Sequence, residues 1–198
     1  YMLDQSFSGK NFRIIFDISN RNGVFIEDKF SLTSIKSLTN EIKIYSNHAK
    51  NEYRKGNKDL AKFFDEIKDE LRKDRNLEID EVMDEVSTSV NSKNYKVELK
   101  LIRIPGGKNL FTIEKRVEDF FVLKQIQYNI SRLFSVKQAD RNSIVEQLIS
   151  LLSNKFPKTI IRTDISDFYE SINQEAILKK VNQDNLLTPN SRRFINNI

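Results

Sequence analysis

Apolar residues first change their period near residue 93, and that change limits what the chain can fold into. Before it the steps are helical. Phe7, Phe12, Ile15 and Phe16 share one helical face, and Asn22-Gly23 marks a turn after them. Ile35, Leu38, Ile42 and Tyr45 recur at steps of three and four; Leu60, Phe63, Phe64, Ile67 and Leu71 form a second stripe. Both stripes read as core-facing helices within residues 31–74, broken at Lys55-Gly56-Asn57. Glu78, Asp80, Glu81, Asp84 and Glu85 read as a solvated acidic helix face, with a metal site as the alternative. After the change Tyr95, Val97, Leu99 and Leu101 alternate with Lys96, Glu98 and Lys100, the pattern of a half-buried strand. Pro105-Gly106-Gly107-Lys108 and a second apolar run from Leu110 to Ile113 complete a β-hairpin with Lys108 near its tip.

The rest of the chain mixes both periods. Val117, Phe120, Phe121, Ile126, Ile130, Leu133 and Phe134 face inward on a long helix, with Lys124, Gln127 and Arg132 off the stripe. Ser143-Ile144-Val145-Glu146 predicts a capping box, starting a helix that carries Ile144, Leu148, Leu151 and Leu152 and stops before Phe156-Pro157. Lys158 to Asp164 reads as a strand ending in a carboxylate. Asn173 caps a helix expected to bury Ile177 and Val181, and Thr188-Pro189 fits a cap followed by proline at the first helical position. The expected fold class is α+β, in three segments, 1–92, 93–157 and 158–198.

Composition narrows the chemistry. The chain has 198 residues, enough for one or two domains. It has no cysteine and one histidine, His48, which excludes disulfide scaffolds, thiol nucleophiles and histidine-rich metal sites. Carboxylates, basic groups, hydroxyls and tyrosines remain. No apolar run reaches the length of a membrane span, which is about 18 residues at least, and YMLDQSFSGK lacks the pattern of a secretion signal. The expectation is a cytoplasmic protein with no membrane partner. The net charge of +5 is unevenly spread. Residues 1–92 hold 15 basic and 17 acidic side chains, residues 93–157 hold 12 and 6, and residues 158–198 hold 6 and 5. The basic middle segment suits a polyanion, although an ordinary solvated basic face has the same composition.

The densest chemistry lies in Ile160-Ile161-Arg162-Thr163-Asp164-Ile165-Ser166-Asp167-Phe168-Tyr169-Glu170-Ser171-Ile172. An apolar strand delivers Asp164 to its end, and Asp167 follows three residues later. Such a carboxylate offers hard oxygen to Mg²⁺. A pair of such ions about 4 Å apart can activate a hydroxyl and stabilise a leaving group in phosphoryl transfer. A helix cap or a surface carboxylate pair is the plainer reading of Asp164 and Asp167 alone.

This segment resembles motif A of the reverse transcriptases, especially the bacterial retron-like and antiviral-defence branch: an apolar strand, Asp164, Ile165, two variable residues, Phe168-Tyr169 and Ser171-Ile172. Phe121-Val-Leu-Lys-Gln-Ile-Gln-Tyr-Asn-Ile130 resembles the fingers helix, and Asp140 to Leu148 resembles the segment before motif A. The opening, Asp4 to Phe12 with Asn20-Arg-Asn-Gly23, is similar to one antiviral group in which two reverse transcriptases are encoded side by side. The resemblance implies a helical N-terminal extension (1–92), a fingers subdomain of hairpin and helices (93–157) and the beginning of a ferredoxin-like palm (158–198). It implies an RNA-directed DNA polymerase that joins a dNTP to a primer 3′-hydroxyl with two Mg²⁺ ions. Its partners would be an RNA template, a DNA or RNA primer and, in antiviral defence, a second reverse transcriptase or a non-coding RNA.

Residue by residue, the resemblance makes Asp164 the catalytic ligand of both ions, and gives the Ile165 backbone carbonyl to the nucleotide-side ion. Asp167, Phe168 and Lys108 would contact the triphosphate. Tyr169 would be the gate that clashes with a 2′-hydroxyl. Lys115, Arg116, Lys124 and Arg162 would serve nucleic-acid binding. Two features depart from the family. Asn109 stands where an arginine follows the hairpin Gly-Lys, leaving Lys115-Arg116 as the nearest basic pair. The Tyr-x-Asp-Asp that completes the metal site is absent before Ile198. The expectation is therefore the N-terminal part of a longer enzyme, inactive as a fragment. A non-catalytic nucleic-acid-binding or assembly module on a degenerate polymerase fold is the alternative. A palm-like nucleotidyl transferase such as a nucleotide cyclase is a third reading, which Tyr169 opposes.

Overall fold

A computed structural model describes residues 3–103, 109–113, 116–136, 140–153, 156–157, 159 and 172–198. The elements run α1 (Gly9–Arg21), α2 (Ile26–Lys29), α3 (Thr33–Lys55), α4 (Lys58–Val90), β1 (Leu99–Arg103), β2 (Asn109–Ile113), α5 (Val117–Leu133), α6 (Arg141–Leu152), α7 (Gln174–Gln183) and α8 (Pro189–Asn196). Helix dominates, with one small antiparallel sheet among the described residues. Among the same residues no helix is long and apolar enough to cross a membrane.

Local chemistry explains most boundaries. The Ser8 side chain caps α1 by accepting from the Asn11 amide. Gly56 ends α3 in the left-handed region at φ 84°, a conformation glycine reaches without steric cost, and the Asn57 amide then donates to Glu52. That break separates two long antiparallel helices, as the Lys55-Gly56-Asn57 signal predicts. Asn173 caps α7 and Thr188 caps α8, with Pro189 in the first turn. The capping box does not form. Asp140, three residues earlier, caps α6 by accepting from the Asn142 and Ser143 amides, so Ser143 is already inside the helix.

One hydrophobic cluster draws on all three sequence segments. Phe7, Phe12 and Phe16 meet Ile79, Met83, Val86 and Val90 of α4, Phe120, Phe121 and Ile126 of α5, and Phe194 of α8. The centroids of Phe12 and Phe121 lie 5.3 Å apart, and Phe7 meets Phe194 edge-on at 4.7 Å. The deep part of α4 is thus its second half. Leu60 and Phe63, expected in the core, are 44 % and 54 % exposed. Their part of α4 packs against α3, and two helices alone cannot enclose a stripe. The acidic residues Asp80, Glu81, Asp84 and Glu85 of the same helix are exposed; Asp80 and Asp84 flank the seam with α1, and Asp80 accepts from Arg13 at 2.9 Å.

Other apolar residues also depart from expectation. The strand begins at Leu99, because β2 pairs it with Ile113 and reaches no further back. Tyr95 and Val97 are buried outside the sheet, with Tyr95 edge-on to Phe194 at 5.9 Å, and Leu101 is exposed. Val181 is buried but Ile177 is exposed. Helix α6 exposes Ile144, Leu148, Leu151 and Leu152.

The opening residues act as a clasp. The Gln5 side chain donates to the Leu186 carbonyl and accepts from the Thr188 amide, at 2.9 and 3.0 Å. Ser87 and Asn91 at the end of α4 both donate to the Phe7 carbonyl. Gly9 lies directly against α4: an added Cβ would overlap the Asp84 carboxylate and come within 3.1 Å of its Cα. Gly9→Ala is therefore expected to turn the exposed Asp84 carboxylate aside and press on its Cα, at a cost of about 1 kcal/mol, readable as a lower urea midpoint in equilibrium unfolding.

Candidate nucleic-acid interface

Within the basic segment, the described residues include the point where the hairpin meets α5. Burial forces a particular arrangement there. Asp119, in the first turn of α5, is fully buried, and a buried carboxylate is costly unless its oxygens find donors. The Tyr95 hydroxyl donates to Asp119 Oδ1, and Arg116 Nε stands 3.6 Å from Oδ2, which has no hydrogen-bond partner. Arg116 also pairs with Glu98 at 2.9 Å and lies over the Tyr95 ring, Cζ 5.3 Å from the centroid. Burial lowers the affinity of the Arg116 guanidinium for its proton, but Asp119 and Glu98 outweigh it and hold that affinity above the ordinary value. Burial, followed by the Asp119 hydrogen bond and charge, pushes the Tyr95 hydroxyl well above the ordinary tyrosine value. Arg116 is thus bound into a structural cluster.

Lys124 is placed differently. It projects from the exposed face of α5 and donates to Gln127 Oε1 at 3.2 Å. On the opposite face Gln125 and Asn129 are buried. Gln125 donates to Asn129 Oδ1, and Asn129 donates to Ser191 Oγ and to the Gln5 carbonyl. This chain fixes α5 to α8 and to the clasp, so the exposed face is presented rigidly. The outward stripe Lys124, Gln127 and Arg132 agrees with the helical spacing, and Tyr128 joins it at 39 % exposure.

Lys108, Lys115, Arg162, Asp164, Ile165, Asp167, Phe168 and Tyr169 lie outside the described residues, as does the strand expected from Lys158 to Asp164 apart from Thr159, which is exposed. Among the described residues no group of three or more histidine and carboxylate side chains could hold a metal ion. Sequence reasoning missed the Tyr95–Asp119 pair. The signal for the pair was an aspartate directly before Phe120-Phe121, too close to the apolar stripe to stay in water.

The sign of the Tyr95 effect follows from its environment. The folded state keeps the hydroxyl neutral while the unfolded chain ionises near pH 10. The stability it contributes is complete below that value and falls as pH rises past it. Tyr95→Phe is expected to cost about 1.5–3 kcal/mol at neutral pH. The gap to wild type should narrow by about 1.4 kcal/mol per pH unit above pH 10, measured by denaturant unfolding at pH 8 and pH 11. Comparison with known proteins adds no identity: no family model matches the chain, and neither does any curated protein or solved structure.

Proposed function

We propose that this chain is the fingers and opening palm of an RNA-directed DNA polymerase, behind a helical N-terminal extension, acting in bacterial antiviral defence. The observation that carries the reading is the ordered pattern from Ile160 to Ile172, with Asp164 ending an apolar run and Asp167, Phe168 and Tyr169 after it. An antiparallel hairpin leading into a helix with a basic outer face is compatible with fingers that lie along a nucleic-acid backbone.

The donor set suits magnesium. Without cysteine and with one histidine, the side chains left are hard oxygen ligands. Asp164 and the Ile165 carbonyl would hold the ions together with carboxylates outside this sequence. When bound, the ions activate the primer hydroxyl and neutralise the leaving pyrophosphate. The protein's own part is positioning. Asp167 and Phe168 would present backbone amides to the triphosphate, and Tyr169 would exclude a 2′-hydroxyl by its ring.

Primer extension by the full-length protein, on an RNA template with dNTPs and Mg²⁺, tests the reading. Asp164→Ala is expected to reduce extension to background, and Tyr169→Ala to raise ribonucleotide use relative to deoxynucleotides. An Asp164→Ala protein that extends primers at the wild-type rate overturns it. A wild-type protein that binds RNA but incorporates nothing would favour the non-catalytic binding module.

A further inference from the structure

A surface groove runs between α1 and α5. Its larger part has a volume of about 510 Å³, with Ile15, Ile18 and Phe120 forming an apolar floor. A cavity of about 150 Å³ continues it past Ile18 and Tyr128 toward Asp4. Lys29 and Lys124 line the larger part, and no carboxylate does. Lys29 Nζ hangs 4.9 Å from the Phe120 centroid, and neither lysine is ion-paired among the described residues. The groove therefore combines positive charge with exposed apolar surface, and its charge calls for an anion.

The spacing along α5 defines that anion further. Lys124, Tyr128 and Arg132 follow at four-residue steps, so they share one face. Arg132 Cζ stands 5.4 Å from the Tyr128 centroid. Eight residues of helix separate the α carbons of Lys124 and Arg132 by about 12 Å. One phosphate group is too small to serve both, whereas consecutive phosphates of a strand fit cations on either side of a ring. Gln127, beside Tyr128, offers an amide to a base edge. Stacking of bases on an aromatic side chain within a positively charged groove is how single strands are held without sequence preference.

We propose that the groove between α1 and α5 binds a short single-stranded segment of nucleic acid, with a base on Tyr128 and flanking phosphates on Lys29, Lys124 and Arg132. This rests on and deepens the polymerase reading, which sets the outer face of α5 along nucleic acid: it adds the groove, Lys29 and the Tyr128 ring as a single-strand site, and the binding needs neither metal nor Asp164.

The test is anisotropy of a short fluorescent oligothymidylate with the full-length protein in chelator, over a salt series. Tyr128→Ala is expected to weaken binding about tenfold, while Tyr128→Phe preserves it. Lys124→Gln should lower the slope of log affinity against log salt by about 0.7. Lys62→Gln, on the exposed part of α4, should change nothing, and every variant should melt like wild type. Asp164→Ala should bind normally while losing extension, so the two proposals fail separately. Unchanged binding by Tyr128→Ala and Lys124→Gln overturns the inference, as does an equal loss in Lys62→Gln. Displacement by thymidine monophosphate would assign the groove to a free nucleotide, and displacement by polyglutamate to an acidic peptide; either overturns the single-strand assignment.

Discussion

Phenylalanine packing is the contact on which the other elements depend. Phe7, Phe12, Phe16, Phe121 and Phe194 are each at most 2 % exposed and come from the clasp, α1, α5 and α8. Each buried ring contributes about 1.5–3 kcal/mol, and the edge-on and tilted geometries add to this. Helix α4 supplies the opposing wall through Ile79, Met83, Val86 and Val90. The polar features are arranged around this seam. Asp119 precedes Phe120 and must find partners because the rings beside it exclude water; Gln125 and Asn129 lie about two and three turns further along α5 and link up for the same reason.

Where a boundary depends on a single backbone requirement, the sequence is readable. Gly56 is needed at a positive φ, and Thr188, Asn173 and Pro189 sit where their local chemistry favours a helix start. Where two candidates compete, the reading fails. Ser143 has the right spacing to Glu146, yet the Asp140 carboxylate reaches two amides and takes the cap. Burial was least readable, because a stripe says which face is apolar and not whether a third element arrives to cover it. Leu60, Phe63 and Ile177 are of that kind. In the segment Asp4 to Phe12 the spacing marked Phe7 and Phe12 as apolar positions, while the polar residues entered only through a resemblance; the structure supplies their physical reasons: Gln5 bridges a loop, Ser8 caps and Gly9 permits close approach.

The resemblance groups Arg116 and Lys124 as nucleic-acid contacts, yet their surroundings separate them. Arg116 is held by Glu98, Asp119 and the Tyr95 ring, and a phosphate would have to compete with those anions. Among the described residues, the hydrogen-bond partner of Lys124 is the neutral amide of Gln127. Formal charge counted along a chain overstates what a ligand meets, since each cation neutralised internally adds little to the outward field. The residues that carry the polymerase reading, Asp164 and Tyr169 above all, fall outside the described residues, so their geometry was legible only through sequence spacing.

The clasp at the start of the chain joins partners that are far apart in sequence. Gln5 bonds to residues 181 and 183 positions later, and Phe7 packs on Phe194. During synthesis the first residues leave the ribosome long before their partners exist. At about 5–20 residues per second that interval is on the order of ten seconds. Helices α1 to α4 can pair as they emerge, through contacts between neighbours in sequence, while Phe7 remains without its aromatic partner. Closure of the clasp onto α8 is thus a late and long-range step, with the loop entropy of the chain between α4 and α8 against it. The order of folding places the completion of the core at the arrival of α8, so the last described helix is what turns a chain of local hairpins into one cooperative unit.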